Sequence, residues 1–308
     1  MDNIIEIKNL TKKFGDLIAV NNISIDLKPG KIYGFLGPNG AGKTTTMSML
    51  CDLIIPTSGE AFVGGYKIGS IDAKKMLGYS PEFPSFYTDM NCMDYLIYMG
   101  ELGGLSYELA LKKSMELIEF MNLKDSMYKK VSNFSTGMKK KIGLAQAMIH
   151  DPKILMLDEP TANLDPTSRF EIINSLKRLV KEKNITLIIS SHVLTELELI
   201  ITDVIMINAG SLMFFGPLDD AKKLLHNDLL IIETSNNQMI IDKINRINIS
   251  DIKEDNGKLT ISTNNLHEVK KELIKIAYEN NIDIITLKDA SVSLDEVYSK
   301  ILTGKVGE

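Results

Sequence analysis

Apolar residues follow two rhythms along this chain. Ile32, Tyr33, Phe35 and Leu36 form one short apolar run, and Ile154, Leu155, Met156 and Leu157 form another. Runs without alternation predict strands buried on both faces, as in a parallel sheet covered by helices. The segment "NITLIISSH", ending in Ser190, Ser191 and His192, predicts a third such strand. Elsewhere the period lengthens. Met138, Ile142, Ala145 and Ile149 recur at helical spacing, and Phe170, Ile173, Leu176 and Val180 mark a second helical face. Asp165 then Pro166 predicts where that second helix starts, because Asp caps free N–H groups and Pro suits the first turn. Buried strands alternating with helices predict an α/β core, with a small β-rich part sharing residues 1–80 and a helical segment at about 88–150.

The pattern changes after "FFGPLDD". Gly216 and Pro217 predict a boundary, giving domains at 1–217 and 218–308. Beyond it "LLIIE", "INISDIK", "KLTIST" and "IDIITLK" predict strands. Asn256-Gly257 predicts a hairpin turn. Leu266, Val269, Leu273 and Ile276 predict an amphipathic helix. The order βαββαβ predicts a small α+β ferredoxin-like unit. No acids, cysteines or glycine loops cluster there, so its expected role is regulatory or dimer-stabilising.

Composition acts mainly by exclusion. The 308 residues are 44% hydrophobic and 24% charged, the profile of a soluble globular protein. A net charge of −5 argues against a dedicated nucleic-acid binder. The opening "MDNIIEIKNL" lacks the basic region of a signal peptide. The most apolar stretch, "LELIITDVIMINAGSLMFF", is interrupted by Glu198 and Asp203, so no membrane span is expected. Cys51 and Cys92 read as ordinary thiols, and the four histidines are too scattered for a zinc site.

Candidate chemistry gathers at strand ends. Gly37, Pro38, Asn39, Gly40, Ala41, Gly42, Lys43 and Thr44 follow the first buried strand and lead through Thr45 into "TTMSML". This is the Gly-x4-Gly-Lys-Thr spacing of a phosphate loop in strand–loop–helix context. Glycines let backbone N–H groups wrap a phosphate, and the helix N-terminus adds a positive dipole. Lys43 is then expected at the terminal phosphates and Thr44 on Mg²⁺. The same glycines fit a dinucleotide fingerprint poorly. Asp158 and Glu159 end the second buried strand, at the ligand-binding edge of an α/β sheet. Asp158 suits a Mg²⁺ ligand, and Glu159 suits a general base acting on water. His192, just past the third strand, is placed to reach a γ-phosphate or that water.

Taken together, these motifs resemble the ATP-binding subunit of ABC transporters over residues 3 to 217. "GPNGAGKT" looks like Walker A, "ILMLDE" like Walker B, "ANLD" like the D-loop, and His192 fits the switch histidine. The resemblance implies a P-loop NTPase (ABC ATPase) core with an inserted helical subdomain, using ATP and Mg²⁺. It implies that Phe14 stacks on adenine with Val20 beside it. "FSTGM" sits at the signature position, so Ser135, Thr136 and Gly137 are expected to face ATP held by a second subunit, in a homodimer. That anion would suit the N-terminus of the following helix, where cations are disfavoured. The three lysines that follow, Lys139 to Lys141, read as a solvated face.

Departures are visible. Thr136 replaces a signature glycine, Met138 a glutamine, and Glu82 stands at the Q-loop position, where its oxygen can serve Mg²⁺ or the water. "PEFPSFY" with "STGMKKK" resembles drug-, antibiotic- and sodium-exporting subfamilies. The implied setting is peripheral, on the cytoplasmic face of a membrane and soluble when isolated, energising a separate permease. The aromatic "FPSFYTDMNCMDYLIYMG" reads equally as a docking surface for that permease or as core. Two alternatives stay open: a non-transport ABC protein, and a nucleotide-gated module without turnover.

Overall fold

Strand β1 (Ile5–Phe14) pairs antiparallel with β2 (Leu17–Leu27) and β4 (Ser58–Val63). With β5 (Tyr66–Lys67) they form a sheet of order β2-β1-β4-β5. One face is apolar: Ile5, Ile7 and Leu10 from β1 pack with Val20, Ile23 and Ile25 from β2. Each such side chain, fully buried, contributes roughly 1.5–3 kcal/mol. The computed structural model describes residues 3–87, 89–191, 197–223, 228–244, 248–263, 265–290 and 294–303.

The second sheet holds the site. It contains β3 (Ile32–Leu36), β6 (Leu77–Ser80), β7 (Ile154–Asp158), β8 (Thr186–Ser191), β9 (Asp203–Asn208) and β10 (Ser211–Pro217), in the order β10-β9-β3-β8-β7-β6. All its pairs are parallel except β9–β10. Every residue of β3, β7 and β8 is buried, which is why these strands read as unbroken apolar runs. Because β8 lies between β3 and β7, three carboxyl ends sit side by side. Leu36 pairs with Ser191, and Asp158 pairs with Ser190.

Among the described residues three α-helices separate β6 from β7 in the sequence: α3 (Cys92–Leu102), α4 (Tyr107–Phe120) and α5 (Thr136–Met148), after α1 (Lys43–Leu50) and α2 (Ile71–Met76). Helix α5 touches β6, α3, α4 and α6 (Pro166–Lys183), so it is covered nearly all round. This corrects the solvated-face reading of the lysines. Lys140 and Lys141 are both buried, and Lys141 Nζ donates to Glu171 Oε2 at 2.7 Å. Helix α6 begins as expected: the Asp165 carboxylate accepts from the Ser168 N–H at 3.0 Å, with Pro166 in the first turn. Its buried face is rotated from the expected one. Ile172, Ile173, Leu176 and Leu179 face inward, and Phe170 is 68% exposed. The aromatic segment divides. Cys92, Met93 and Tyr95 are core, whereas Phe83 and Tyr87 are exposed. Burial pushes the Cys51 and Cys92 thiols up to about 12, so neither is a ready nucleophile.

The chain divides into two units, Met1–Pro217 and Leu218–Glu308. In the second, β11 (Asp228–Thr234), β12 (Ile249–Asp255), β13 (Lys258–Thr263) and β14 (Ile284–Ala290) form an antiparallel sheet of order β12-β13-β11-β14. Helices Asn237–Lys243 and Leu266–Glu279 follow its first and third strands. That order is the ferredoxin-like one. Asn256 and Gly257 both have positive φ, 49° and 76°, as a tight primed hairpin turn requires. Leu230, Ile232, Leu259, Ile261, Val269 and Leu273 form a core of this unit's own. A chain ending at Pro217 is therefore expected to fold and bind ATP. Circular dichroism and binding of a fluorescent ATP analogue check this, and an insoluble or nucleotide-free product would contradict it.

Candidate nucleotide site

The loop between β3 and α1 is shaped by close approach. A Cβ on Gly37 would lie 2.6 Å from the Ile207 carbonyl oxygen, and one on Gly42 would lie 2.4 Å from that of Ala19. Gly42 also has φ 105°, a region L side chains rarely adopt. Helix α1 starts without a side-chain cap and without an acid in its first turn. Thr46 is the first residue whose N–H closes the helical ladder, onto Gly42 O at 2.9 Å. The N–H groups of Lys43, Thr44 and Thr45 precede that ladder, so they form an anion-binding end. Lys43 is 6% exposed, and its Nζ donates to the carbonyls of Gly37 at 2.6 Å and Pro38 at 3.2 Å. Burial pulls its pKa below the usual lysine value, while Glu159, Asp158 and Glu82 oppose that shift.

The acids lie two strands away and reach the same place. Asp158 Oδ2 accepts from Thr44 Oγ1 at 2.7 Å, and its Oδ1 accepts from the Ser190 hydroxyl. Ser190 Oγ also accepts from the Glu159 N–H at 3.0 Å. Ser190 thus orients both acids from β8, the strand between β3 and β7. The sequence offered only a weak signal for this, a hydroxyl ending an apolar run. Glu159 is buried and has φ 47°, an uncommon backbone for a side chain of its kind.

These groups surround a cleft of about 300 Å³. Its floor is the loop from Pro38 to Thr45. One wall is Phe14, Leu17 and Ala19, and the other is Glu82, Asp158 and Glu159. Phe14 is half-exposed, with Lys12 Nζ 4.9 Å from its ring centroid. Val20 does not line the cleft; it is fully buried behind it, in the sheet core.

Ser135, Thr136 and Gly137 do not line this cleft either. Ser135 caps α5, accepting from the Met138 N–H at 3.3 Å. Ser135 and Thr136 are exposed. Gly137 is buried, and a Cβ there would lie 2.9 Å from Ser168 Oγ, so α5 packs closely on the start of α6. His192 lies outside the described residues.

The family model described as "ABC transporter" matches residues 20–162. The bacitracin transport ATP-binding protein BcrA of Bacillus licheniformis is 34% identical over 306 residues, 99% of each chain. The linearmycin resistance ATP-binding protein LnrL of Bacillus subtilis is 31% identical over 309 residues, 98% of this chain and 99% of that one. Among solved structures, CbiO1 of Clostridium perfringens, part of an ABC transporter complex, gives a TM-score of 0.65 at 24% identity, covering 71% of this chain and 90% of that chain. A dimeric ATP-binding cassette in a post-hydrolysis state with ADP and phosphate gives 0.63 at 22%, covering 70% of this chain and 98% of that one. Phosphate loop and acids meet at one cleft, and relatives match along their whole length: this chain belongs to the ATP-binding, ATP-hydrolysing subunits of ABC transporters.

Proposed function

We propose that the chain is the peripheral ATPase of an export-type transporter, acting as a homodimer on a separate membrane permease. The observation that carries this is the extent of the likeness. Relatives named for bacitracin transport and linearmycin resistance match over 98–99% of the chain, so the likeness includes the C-terminal unit as well as the cassette. Among the described residues no helix is long and apolar enough to cross a membrane, in keeping with a permease on another chain. Exposed Phe83 and Tyr87, beside the Q-loop position, are its proposed docking surface.

In this reading Phe14 receives the adenine, with Val20 supporting β2 behind it. Residues 37–45 wrap the phosphates. Thr44 and Asp158 would hold Mg²⁺, with Glu82 as a further carboxylate. Their hydroxyl and carboxylate oxygens already converge, a donor set suited to a small hard cation. Such an ion neutralises phosphate charge. Glu159 takes a proton from the attacking water, and the switch-histidine role is proposed for His192 from the resemblance alone. Ser135, Thr136 and Gly137 serve a second copy's nucleotide. The C-terminal unit regulates or steadies the dimer.

Mixing two inactive variants tests the shared site. In a mixed dimer of Lys43→Ala and Ser135→Arg, one composite site is intact and the other carries both defects. Phosphate release is expected to return in part on mixing. An ATP-dependent crosslink between chains, with cysteines at Asn39 and Ser135, is expected alongside. No recovery together with a crosslink only inside one chain would overturn the shared-site reading.

A further inference from the structure

Lys140 belongs to a run of three lysines, yet it is only 5% exposed. Its Nζ donates to the Glu82 carbonyl oxygen at 2.6 Å and to the Glu159 carbonyl oxygen at 2.8 Å. Both acceptors are backbone atoms, from two different loops. One loop follows β6 and the other follows β7. The side chains of these same two residues line the nucleotide cleft. Burial pulls the Lys140 ammonium's pKa down, and Glu82, Glu159 and Asp158 push it back up.

Glu159 adopts a left-handed backbone, φ 47°, which its surroundings must hold in place. Ser190 Oγ accepts from its N–H, while Lys140 Nζ and the Ala162 N–H donate to its carbonyl. The residue is therefore gripped at both ends. One grip comes from the helix that begins at the Ser135 cap.

We propose that Lys140 is a positioning residue for ATP hydrolysis. It ties the Glu82 and Glu159 backbones to helix α5, so the Glu159 carboxylate is aimed only while that helix is seated. A shift at the Ser135–Gly137 end would then reach the hydrolytic base through one side chain. The inference rests on the ATPase assignment of this cleft and on Glu159 as base, and it adds a residue whose side chain does not line the cleft.

Full-length Lys140→Met, Lys140→Gln and wild type are compared by phosphate release, by affinity for a fluorescent ATP analogue, and by thermal melting. Methionine keeps an unbranched chain one atom shorter and removes the donating ammonium. Glutamine has the same reach as methionine but restores amide donors. Lys140→Met is expected to lower kcat about 10-fold or more, as for a slightly misaimed catalytic group, with KM and analogue affinity within about 2-fold. Lys140→Gln is expected to give an intermediate kcat. An unchanged kcat in folded Lys140→Met overturns the proposal. So does a joint fall in kcat, affinity and melting temperature that glutamine does not relieve, since that describes a lysine needed for folding alone. Should Lys140→Met not fold, Lys140→Gln decides: lower kcat at unchanged affinity supports the proposal, and wild-type kcat overturns it. Absent turnover in wild type would instead count against the ATPase assignment.

Discussion

Lys43→Ala is expected to lower ATP turnover by about 10²-fold or more and to weaken nucleotide binding, the scale seen when one donor to a developing negative charge is lost. The cleft explains why. Its polar wall carries three carboxylates, Glu82, Asp158 and Glu159. A polyphosphate entering there meets their repulsion, and Lys43 is the cation held on the floor of the loop. Its ammonium now bonds the Gly37 and Pro38 carbonyls, so it can exchange those partners for phosphate oxygens without a large movement. Lys140 does not substitute for it, because its ammonium is committed to two other carbonyls. Phosphate release and displacement of a fluorescent ATP analogue measure both effects. Near-normal turnover would remove the site assignment. A folded but inert variant is the expected product, since the amino group supports the loop and not the sheet core.

Local chemistry was the most legible part of the sequence. The phosphate loop is defined by spacing within one segment, and the strands β3 and β7 announce themselves because burial on both faces keeps them apolar up to the Asp158 that ends β7. The βαββαβ order of the C-terminal unit was legible for a similar reason: alternation, one hairpin turn and one amphipathic helix carry it. What pattern alone could not supply was tertiary. Three adjacent lysines normally imply solvent. Lys140 and Lys141 are buried because α5 is wedged between β6 and three other helices. Phe170 and Ile172 both fit a helical repeat, and only packing decides which of them faces inward. The resemblance implies Val20 beside Phe14 at the adenine, but the alternation of β2 turns it into the core and leaves Leu17 and Ala19 at the cleft. The irregular pairing of β1 with β2 makes that phase hard to read from a linear pattern. Ser190 orients both acids only because β8 runs between β3 and β7, and strand order is not written in any one strand.

Glu159→Gln separates binding from chemistry. The substitution keeps size and keeps hydrogen-bonding capacity, but an amide does not take a proton from water. Two bonds that position the residue, to Ser190 Oγ and from Lys140 Nζ, use backbone atoms, so they survive the change. Glutamine bears the left-handed φ of 47° about as well as glutamate does. The variant is therefore expected to bind ATP with near-normal affinity while hydrolysis falls about 10²- to 10⁴-fold, the range for losing a general base. In the proposed homodimer bound ATP is shared between two copies, so if only its hydrolysis releases them, ATP should then accumulate a closed dimer. Light scattering with and without ATP detects the dimer, and single-turnover phosphate release measures the chemical step. The Lys43→Ala variant provides the contrast: it should form no ATP-dependent dimer at all. Turnover that stays normal in Glu159→Gln, with no dimer on adding ATP, would place the base elsewhere in the cleft. Glu82 is then the next carboxylate to test, because it lines the same wall.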